Sequence, residues 1–489
     1  MSKSKDTALA FQRKKYPHLT DEEFRFMVQQ QEGRERLRDK LPTLVQQPDW
    51  WFPPRLDCEQ CSSERTATYK AELIRHHYTP SLSPSLSREW QGGSFIDLTG
   101  GYGIDSFYLS AMATEAHYVE QNPELCRIAE HNFSRTRPHL QVHNTTAEEF
   151  LRTLPDIPYT KRSEVHYTKS PTRSEAKFLT QSSQHEAQRS SQHEVPNTER
   201  SGVTCIYLDP ARRDTHGGKV FRIEDCTPNV IDLLPLLQRK STVLMMKLSP
   251  MLDITAALRS LGAGWQVHIL AVRNEVKELL FIKSTHQLQQ DPPHPSLQRE
   301  GGRLVSIDEG NSPTLPLCRG SRRGSEGRGG SEGRGGSYTA ANYTQDHWQT
   351  LSFTLEEEQN AQVNYWHSTD APRYLYEPNA AILKAAAFRF VSEHFRLAKL
   401  APSTHLYAAD HLLTDFPGRV WEVVSPLTSS MLKHLPDTIR EQGASILTRN
   451  YPLSADQLRK KLKLKECTEQ TIISARIADK PMLFWAKKV

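Results

Sequence analysis

A glycine-rich turn between an apolar strand and a helix carries the clearest chemical signal in this 489-residue chain. Residues 95–105 read FIDLTGGYGID. Glycines directly after a strand let the backbone pass close to a ligand, and the helix that follows offers free N–H groups. About twenty residues beyond the turn, a second strand ends at Glu120, whose carboxylate can accept hydrogen bonds from both hydroxyls of a ribose. These features predict a site for a nucleoside-containing cofactor, and turn glycines beside a strand-end acid are the purely structural alternative.

The candidate cofactor contacts lie in the turn and at the ends of the neighbouring strands. They are Asp97, Thr99, Gly100, Gly101, Gly103, Asp105 and Glu120, with Glu148 added below. The dinucleotide fingerprint G-x-G-x-x-G is incomplete, because Ser106 occupies the third glycine position and Asp97 precedes the loop. NAD is therefore the weaker choice of cofactor.

A second constellation, Asp209-Pro210-Ala211-Arg212-Arg213, follows the apolar segment TCIYL. Ligands of open α/β sheets bind outside the carboxyl ends of the strands, so Asp209 would face the reacting group. Its carboxylate can orient an attacking amine or hydroxyl or take its proton, while Pro210 stiffens the loop. Arg212 and Arg213 suit bidentate contacts with phosphate or carboxylate. Surface salt bridges are the alternative for both arginines.

Other reactive side chains are less specific. Lys247, at the tip of the strand TVLMMKLSP, is a cation for a substrate phosphate or an ordinary surface lysine. Cys58 and Cys61 form a lone CxxC without a second pair or nearby histidines, so no metal site is expected. Seven cysteines without a regular framework indicate a reducing compartment.

Alternating strands and helices would position these residues. Strand patterns are SFIDLTG, EAHYVEQN, LQVHNTT, TCIYLDP, TVLMMKLSP, WQVHILAVRN and VKELLFIKS. All but the last two are followed by a helical pattern, which predicts a mostly parallel sheet. The last two are too close in sequence for a parallel crossover, so they must pair antiparallel. We therefore expect an α/β, Rossmann-like sheet that ends in an antiparallel pair.

The remainder of the chain divides into helical, low-complexity and basic segments. Residues 21–73 have helical spacing, with Thr20 and either Ser62 or Ser63 as candidate N-caps. The hydrophobic fraction of 37% is low, and two polar tracts near 159–200 and 286–337 account for much of this. No secretory signal or membrane-length apolar run is present in the sequence, so we expect a soluble cytoplasmic protein.

A net charge of +5 excludes polybasic electrostatics, so an anionic partner would be bound locally. The C-terminal part predicts a small α+β module with Pro378 at a helix start, followed by two strands, a helix and a closing hairpin. The helix SADQLRKKLKLK carries basic residues at helical spacing, with Arg459/Lys463 and Lys461/Lys465 as i, i+4 pairs and Arg449 joining from the preceding strand. These residues could grip an RNA backbone, and a solvated helix face would look the same.

The FIDLTGGYGID loop and the VEQN strand end resemble motifs I and II of class I S-adenosylmethionine-dependent methyltransferases, whose seven-stranded sheet also ends in an antiparallel strand. More narrowly, the chain resembles a bacterial multidomain group with a DPARR motif, a ferredoxin-like domain and a C-terminal THUMP-like domain. The segments EQCSSERTATYKAEL, YLDPARRD, YLYEPNAAILKAAAF, FPGR and RNYPLSADQLRKKLKLK carry that resemblance. Two positions depart from the wider class: Thr99 replaces the first glycine, and Thr146 replaces an acid near the adenine, which leaves Glu148 or Glu149 as substitutes.

The resemblance implies five segments: an N-terminal helical domain (1–88), a methyltransferase domain (89–285) with a disordered insertion (159–200), a Gly/Arg/Ser-rich insertion (286–345), a ferredoxin-like domain (346–415) and a THUMP-like domain (416–489). It also implies S-adenosylmethionine as cofactor and RNA as partner. Catalysis is expected from Asp209, Pro210 and Arg212, and substrate binding from Arg213, Lys247, Arg449, Arg459, Lys461, Lys463 and Lys465.

The related enzymes that methylate carbon 5 of uracil use a cysteine near the position of Lys247, so transfer to a nitrogen or oxygen is expected here. A further expectation is that the helix around Glu64, Arg65 and Thr66 closes over the active site. The alternatives are a protein or small-molecule methyltransferase, and a non-catalytic RNA-binding protein that retains the cofactor fold.

Overall fold

The computed structural model describes residues 13–78, 93–157, 203–211, 222–284, 297–300, 303–306, 336–368, 370–478 and 480–489. The tract at 159–200, most of the tract at 286–345, and both Arg212 and Arg213 lie outside these residues. The predictions made for them therefore stay predictions.

Within the described N-terminal residues, from 13 to 78, the α-helices that follow Thr20 are α1 (Asp21–Arg36), α2 (Arg55–Gln60) and α3 (Glu64–Tyr78). Thr20 caps α1 in a capping box with Glu23, as the sequence predicted. Ser63 accepts the backbone N–H of Thr66 at 3.2 Å and is thus the serine that caps α3. Ser62 is left free for another role, described below.

Nine strands form the first sheet. In chain order they are β1 (Gly93–Asp97), β2 (Glu115–Glu120), β3 (Leu140–Asn144), β4 (Val203–Leu208), β5 (Val243–Leu248), β6 (Gln266–Val272), β7 (Glu275–Ser284), β10 (Ser337–Thr344) and β11 (His347–Thr354). Between them, β8 (Leu297–Glu300) and β9 (Arg303–Ser306) form a separate two-stranded hairpin. The helices that join the strands of this sheet are α4 (Ile104–Leu109), α5 (Pro123–Thr136), α6 (Ala147–Thr153), α7 (Val230–Lys240) and α8 (Ile254–Leu261).

The strand order is β11-β10-β6-β7-β5-β4-β1-β2-β3. β1 to β5 are parallel, and β7 pairs antiparallel with both β5 and β6, which confirms the predicted antiparallel closure. The fold is thus the expected seven-stranded Rossmann-like sheet, extended by β10 and β11.

The two added strands were not expected in this sheet. β10 pairs parallel with β6, and the turn from β10 to β11 contains the domain boundary expected at 346. The local sequence predicts that β11 is a strand. It does not predict which sheet the β10–β11 hairpin joins, because that depends on the pairing of β10 with β6, two segments more than sixty residues apart. The segment after 346 therefore begins in the first sheet rather than in the small α+β domain.

A second sheet holds the C-terminal part. Its strands are β12 (Tyr374–Pro378), β13 (Ala398–Ala401), β14 (Thr404–Ala409), β15 (Gly418–Pro426), β16 (Ser445–Arg449), β17 (Gln470–Ile477) and β18 (Lys480–Lys488), in the order β13-β14-β12-β15-β18-β17-β16. The helices are α9 (Leu355–Asn360), α10 (Ala380–Ala385), α11 (Phe388–His394), α12 (Asp437–Gln442) and α13 (Ala455–Leu462).

Local signals explain several ends of these elements. The predicted strand, strand, helix and closing hairpin appear as β15, β16, α13 and the antiparallel pair β17–β18. The placement of Pro378 at a helix start was wrong: Pro378 ends β12, and Asn379 caps α10 through its side chain. A proline is tolerated at the end of a strand, and asparagine is the better N-cap.

The first sheet is buried on both faces, because neighbouring strand residues point to opposite sides. Phe95 packs with Trp50, Phe52 and Tyr69 of the N-terminal part, whereas Ile96 packs in the other cluster, beneath α7 and α8. The Asn132 side chain on α5 also bonds both the backbone N–H and the carbonyl of Trp51, at 2.8 and 3.0 Å. The N-terminal helices are therefore part of the packing of the first sheet.

No helix in the described ranges has both the length and the apolar character needed to cross a membrane. The same residues contain no group of three or more His, Cys, Asp or Glu side chains arranged to hold a metal ion.

Candidate active site

The glycine turn after β1 has a conformation that requires its glycines. Gly101 and Gly103 have φ values of +53° and +83°, in the left-handed region that side chains disfavour. A Cβ on Gly100 would lie 2.2 Å from Cε2 of Tyr118, so the two strands could not approach as they do. The Tyr118 hydroxyl donates to the Gly101 carbonyl at 2.5 Å. The loop is thus held close against β2.

Glu120 at the end of β2 lies beside this loop. Its Oε2 accepts the N–H of Gly101 and its Oε1 accepts the N–H of Asn122, both at 2.8 Å. A carboxylate has about four acceptor sites, so two remain for a ligand. The structure therefore brings together the glycine loop and the acid that the sequence analysis paired.

Asp97 at the end of β1 is 1% exposed. It accepts Oγ of Ser106 at 2.5 Å and the N–H of Thr99 at 2.9 Å. Burial raises the pKa of Asp97 to about 7, although the hydrogen bonds from Ser106 and Thr99 oppose this shift. Asp97 thus holds the glycine loop through its hydrogen bond with Thr99. Its other hydrogen-bond partner is Ser106, which occupies the position of the missing third glycine.

Thr99 connects the glycine loop with the tip of β4. Its Oγ1 accepts the N–H of Asp209 at 2.6 Å. Pro210 is buried, and Ala211 exchanges two backbone hydrogen bonds with Thr227 at 2.7 and 3.0 Å, which holds the loop beyond Asp209. The threonine that departs from the usual glycine therefore performs a function that glycine cannot.

Lys247 on β5 contacts the Asp209 carboxylate through a very close Nζ–Oδ2 ion pair. The Lys247 side chain is 12% exposed and that of Asp209 is 36% exposed, so the pair is recessed while the acid remains reachable. Burial raises the pKa of Asp209, and the positive charge of Lys247 opposes that rise. For Lys247, burial lowers the pKa, but the carboxylates of Asp209, Asp105 and Glu278 together raise it above its ordinary value. The contact with Lys247 therefore favours the ionised form of Asp209 against the effect of burial.

The N-terminal helix α3 supplies a buried cation to the same region. Lys70 is 0% exposed, and its Nζ lies 2.8 Å from Oδ1 of Asp105 and 2.6 Å from Oε2 of Glu278 on β7. Asp105 also accepts the Tyr207 hydroxyl at 2.6 Å, and Lys70 and Lys247 hold its pKa well below the usual range although burial favours the neutral acid. Asp105, which the sequence predicted as a cofactor contact, lies at the centre of this network.

Ser62 links the two lysines. Its hydroxyl lies 2.9 Å from Nζ of Lys70 and 3.2 Å from Nζ of Lys247, and it donates to Oδ2 of Asp105 at 2.8 Å. We call the set Ser62, Lys70, Asp105, Tyr207, Asp209, Lys247 and Glu278 the charged network.

Four members of the charged network were not predicted as site residues from the sequence: Ser62, Lys70, Tyr207 and Glu278. A signal for Lys70 was present: it lies on the buried stripe of α3 with Thr66, Ala67, Leu73 and Ile74, where a lysine needs an acidic partner. Glu64 accepts the backbone N–H groups of Thr43 and Leu44, whereas Ser62 and Lys70 are the residues of this region that reach the network. The closure of residues 64–66 over the active site stays a prediction.

The remaining cofactor candidate, Glu148, lies at the start of α6, the helix that follows β3. Thr146 caps α6 by accepting the N–H of Glu149 at 3.2 Å, and Glu149 accepts the Thr145 hydroxyl at 2.7 Å. Glu148 lies in the first turn of α6, partly exposed. Of the two acids considered there, Glu148 is thus the one whose carboxylate is not used in the local cap.

The basic residues of the C-terminal part do not form one set. α13 ends at Leu462, and Lys463 takes the left-handed conformation with φ +52°, so the predicted i, i+4 pairs Arg459/Lys463 and Lys461/Lys465 do not form on a helix. Lys461, Lys463 and Lys465 are nevertheless exposed near the start of β16, where Ala444 donates to the Lys465 carbonyl at 3.0 Å. Arg459 is largely turned inward, with its Nη1 3.3 Å from the Ala444 carbonyl.

Arg449 lies at the opposite end of β16, roughly 13 Å along the strand from its first residue at about 3.3 Å per residue. There it pairs with Glu377 rather than joining the lysines. The expected grouping of Arg449 with the basic helix was therefore wrong, because α13 runs back along β16 and carries its basic end away from Arg449.

Replacing Lys70 with Met should destabilise the fold by about 3–5 kcal/mol, because Asp105 and Glu278 would keep buried charges without their shared cation. Urea unfolding of the full chain measures this loss. Lys277→Met, on an exposed lysine of β7, should cost no more than about 0.5 kcal/mol. The double variant Lys70→Met/Glu278→Gln should recover part of the loss, and a single variant as stable as the Lys277 control would contradict the assigned role of the ion pairs.

Two family models match the C-terminal part of the chain: a ferredoxin-like domain over residues 374–417 and a THUMP domain-like model over residues 418–488. A crystal structure from Porphyromonas gingivalis W83, of a protein provisionally assigned as a methyltransferase, is similar over 96% of this chain and 92% of that one, with 28% identity and a TM-score of 0.67. No curated protein matches.

Other solved structures are similar to less than half of this chain. They include an S-adenosylmethionine-dependent methyltransferase from Agrobacterium tumefaciens (14% identity, 46% of this chain, 62% of that chain, TM-score 0.26) and a provisionally assigned RNA methyltransferase from Pyrococcus horikoshii (13%, 47%, 90%, TM-score 0.25). Scores of this size support no argument. The full-length similarity and the two domain matches show a methyltransferase-like α/β sheet followed by ferredoxin-like and THUMP-like domains.

Proposed function

We propose that this protein is an S-adenosylmethionine-dependent methyltransferase that transfers a methyl group to a nitrogen or oxygen of RNA. The observation that carries the proposal is the 2.6 Å hydrogen bond from the Asp209 N–H to Thr99, which joins the cofactor loop to the proposed reaction centre. Glu120, the glycine loop and Asp209 thus meet at one edge of the sheet.

The residues at this edge fit the proposed cofactor. Among the described residues other than its chain neighbours, only the Thr99 carbonyl would lie within 4 Å of a Cβ on Gly101, so the backbone there has room for a ligand. Gly101, Gly103, Glu120 and Glu148 would hold the nucleoside, while Asp97, Thr99, Gly100 and Asp105 hold the loop in place. When bound, S-adenosylmethionine supplies an electrophilic methyl group on a positively charged sulfur.

Asp209 would orient the attacking amine or hydroxyl and accept its proton. Lys247 stabilises the ionised form of Asp209 and fixes its orientation, which leaves the exposed part of the carboxylate for the substrate. Cys205 is 0% exposed inside β4, and a buried thiol there cannot serve as a nucleophile toward carbon. Transfer to nitrogen or oxygen is therefore preferred, with Pro210 stiffening the loop, and Arg212 and Arg213 are proposed as phosphate contacts beside it.

RNA as the substrate is supported by the THUMP-like match and by an exposed group of basic residues. Lys461, Lys463 and Lys465 are exposed and lie within five consecutive positions of the THUMP-like domain, while the Arg459 guanidinium contacts the Ala444 carbonyl and Glu466. Clustered ammonium groups bind the phosphate backbone without reading sequence. The C-terminal domain would then hold the RNA while the first sheet acts on it.

Calorimetric titration of S-adenosylmethionine into protein stripped of copurified cofactor tests the cofactor assignment. We expect binding by the unaltered chain and a loss of about tenfold or more in affinity for Glu120→Ala, since charge-assisted hydrogen bonds to the ribose disappear. Glu124→Ala, an exposed acid one turn further on, should bind normally. An unaltered chain that binds no cofactor would refute the proposal.

The pH dependence of methyl transfer tests Asp209 and Lys247. Asp209 acts as a base only when ionised, so the rate should rise with pH through its pKa, and Asp209→Ala should lose most activity. Removing the positive charge in Lys247→Met should raise the pKa of Asp209 and move the acidic limb to higher pH by about 1–3 units. Lys247→Arg keeps the positive charge, so the acidic limb of its pH profile should stay where it is in the unaltered protein. The exposed control Lys277→Met should also leave the acidic limb unchanged.

The pH dependence of the rate is measured as single-turnover transfer of labelled methyl groups to total RNA from cells that lack the gene. Mass spectrometry of the resulting nucleosides identifies the modified atom. An acidic limb that is identical in Lys247→Met and in the unaltered protein would remove Lys247 from the mechanism.

RNA affinity at several salt concentrations tests the basic group of the THUMP-like domain. Lys461→Glu should weaken binding by about tenfold and lower the slope of log K against log salt by about one, because one phosphate contact is lost. Lys277→Glu, on the first sheet, is the matched exposed control. Equal losses for the two variants would show that the C-terminal lysines have no special role.

A further inference from the structure

A second charged cluster lies where the ferredoxin-like and THUMP-like domains meet. Glu377 of β12 is 2% exposed and lies opposite Arg419 in the pairing of β12 with β15. Nε of Arg419 donates to Oε2 of Glu377 at 2.8 Å, and Nη2 of Arg419 contacts the same oxygen. Nη2 of Arg449, at the end of β16, lies 2.5 Å from Oε1. One buried carboxylate therefore holds two guanidinium groups.

These three residues come from three segments that the proposed reaction does not use. Glu377 belongs to YLYEPN, Arg419 to FPGR, and Arg449 to RNYPLS. The backbone fixes their approach: a Cβ on Gly418 would lie 2.1 Å from the Glu377 carbonyl oxygen, so only glycine permits β12 and β15 to come this close. The cluster is thus built by close backbone packing rather than by flexible surface side chains.

The charges at this junction are unbalanced. A single buried carboxylate requires one cation, yet two arginines are present, and their side chains remain 39% and 36% exposed. Among the described residues nothing accepts from Nη1 of Arg419, and Arg449 uses Nη1 for the Thr448 carbonyl at 2.8 Å. Each guanidinium has five N–H groups, so donors remain on the solvent side in fixed orientations.

The surroundings are also positive. Lys399 and Arg449 both lie near His405, and after burial, which is the larger cause, their positive charges lower the pKa of that imidazole. Asn450, next to Arg449, donates its side-chain amide to the Thr404 hydroxyl at 3.2 Å. An excess positive charge with outward N–H forks is the arrangement that binds a phosphate group with two parallel hydrogen bonds.

We propose that Arg419 and Arg449, oriented by Glu377, form a phosphate-binding site that takes a phosphate group of the RNA substrate. The proposal rests on RNA being the substrate and assigns a second contact, distinct from the exposed lysines at the other end of β16. Glu377 is a positioning residue, and the two arginines are the binding residues.

Binding of short RNAs to the full chain tests this site, with 5′-phosphorylated and 5′-hydroxyl oligonucleotides as probes and inorganic phosphate as competitor. Arg419→Gln and Arg449→Gln should each weaken RNA binding by about tenfold and lower the salt slope by about one. Arg440→Gln, an exposed arginine of α12 paired with Asp437, is the matched control and should change neither value. S-adenosylmethionine affinity should be the same in all variants, which shows that the fold persists.

Glu377→Gln separates binding from a purely structural role. The glutamine keeps a side-chain oxygen that can still accept from Nε of Arg419 and orient it, while the negative charge that competes with the ligand is lost, so RNA affinity should be retained or increased even if thermal stability falls. A loss of RNA affinity in Glu377→Gln equal to that in the arginine variants would overturn the proposal, because the cluster would then act only by joining the domains.

The remaining outcomes distinguish this site from the proposed function. If the unaltered chain binds no RNA, the RNA assignment itself fails. If it binds and methylates RNA while Arg419→Gln and Arg449→Gln match the Arg440 control, only the phosphate site fails. If inorganic phosphate binds to the arginines but RNA binding does not depend on them, the site serves free phosphate and its assignment to RNA is wrong.

Discussion

The burial of the Lys70 ammonium group is the constraint on which the arrangement of the active site depends. A fully buried lysine is costly unless it is paired, and here its partners come from the helix after the glycine loop and from β7. α3, the loop and the antiparallel strand must therefore all be in place before the charge is satisfied. The N-terminal helices are thus required to complete the site, and they are more than an appended domain.

The same pairing extends electrostatically to the proposed reaction centre. Asp105 lies between Lys70 and Lys247, and Lys247 continues the series of charges to Asp209. Three carboxylates in the charged network face two ammonium groups, so one negative charge is in excess. An excess of this sign favours a cationic ligand beside Asp209, which agrees with the sulfonium charge of the proposed cofactor.

Local patterns in the sequence predicted much of the fold, since caps and strand alternation depend on residues close in sequence. Thr20, the strands from β1 to β7 and the closing hairpin β17–β18 are examples. Contacts between distant segments could not be derived in this way: Lys70 and Glu278 are 208 residues apart, and β10 joins β6 across a long tract. Arg449 was grouped with the wrong residues for a similar reason, because the left-handed turn at Lys463 and the return of α13 along β16 are not visible as periodicity.

Two buried glutamates, Glu278 and Glu377, have similar roles, because each joins separate parts of the chain through ion pairs. Each lies on a strand, and each binds a basic residue from another part of the chain. If stability alone were required, apolar side chains of similar volume would satisfy such junctions as well or better. Charged groups have a use beyond stability only when some of them remain available to a ligand. In the charged network, Asp209 is partly exposed beside Lys247. At the other junction, both arginines are partly exposed beside Glu377. Domain packing and ligand binding therefore draw on the same charges, so a variant at either junction must be assessed for both.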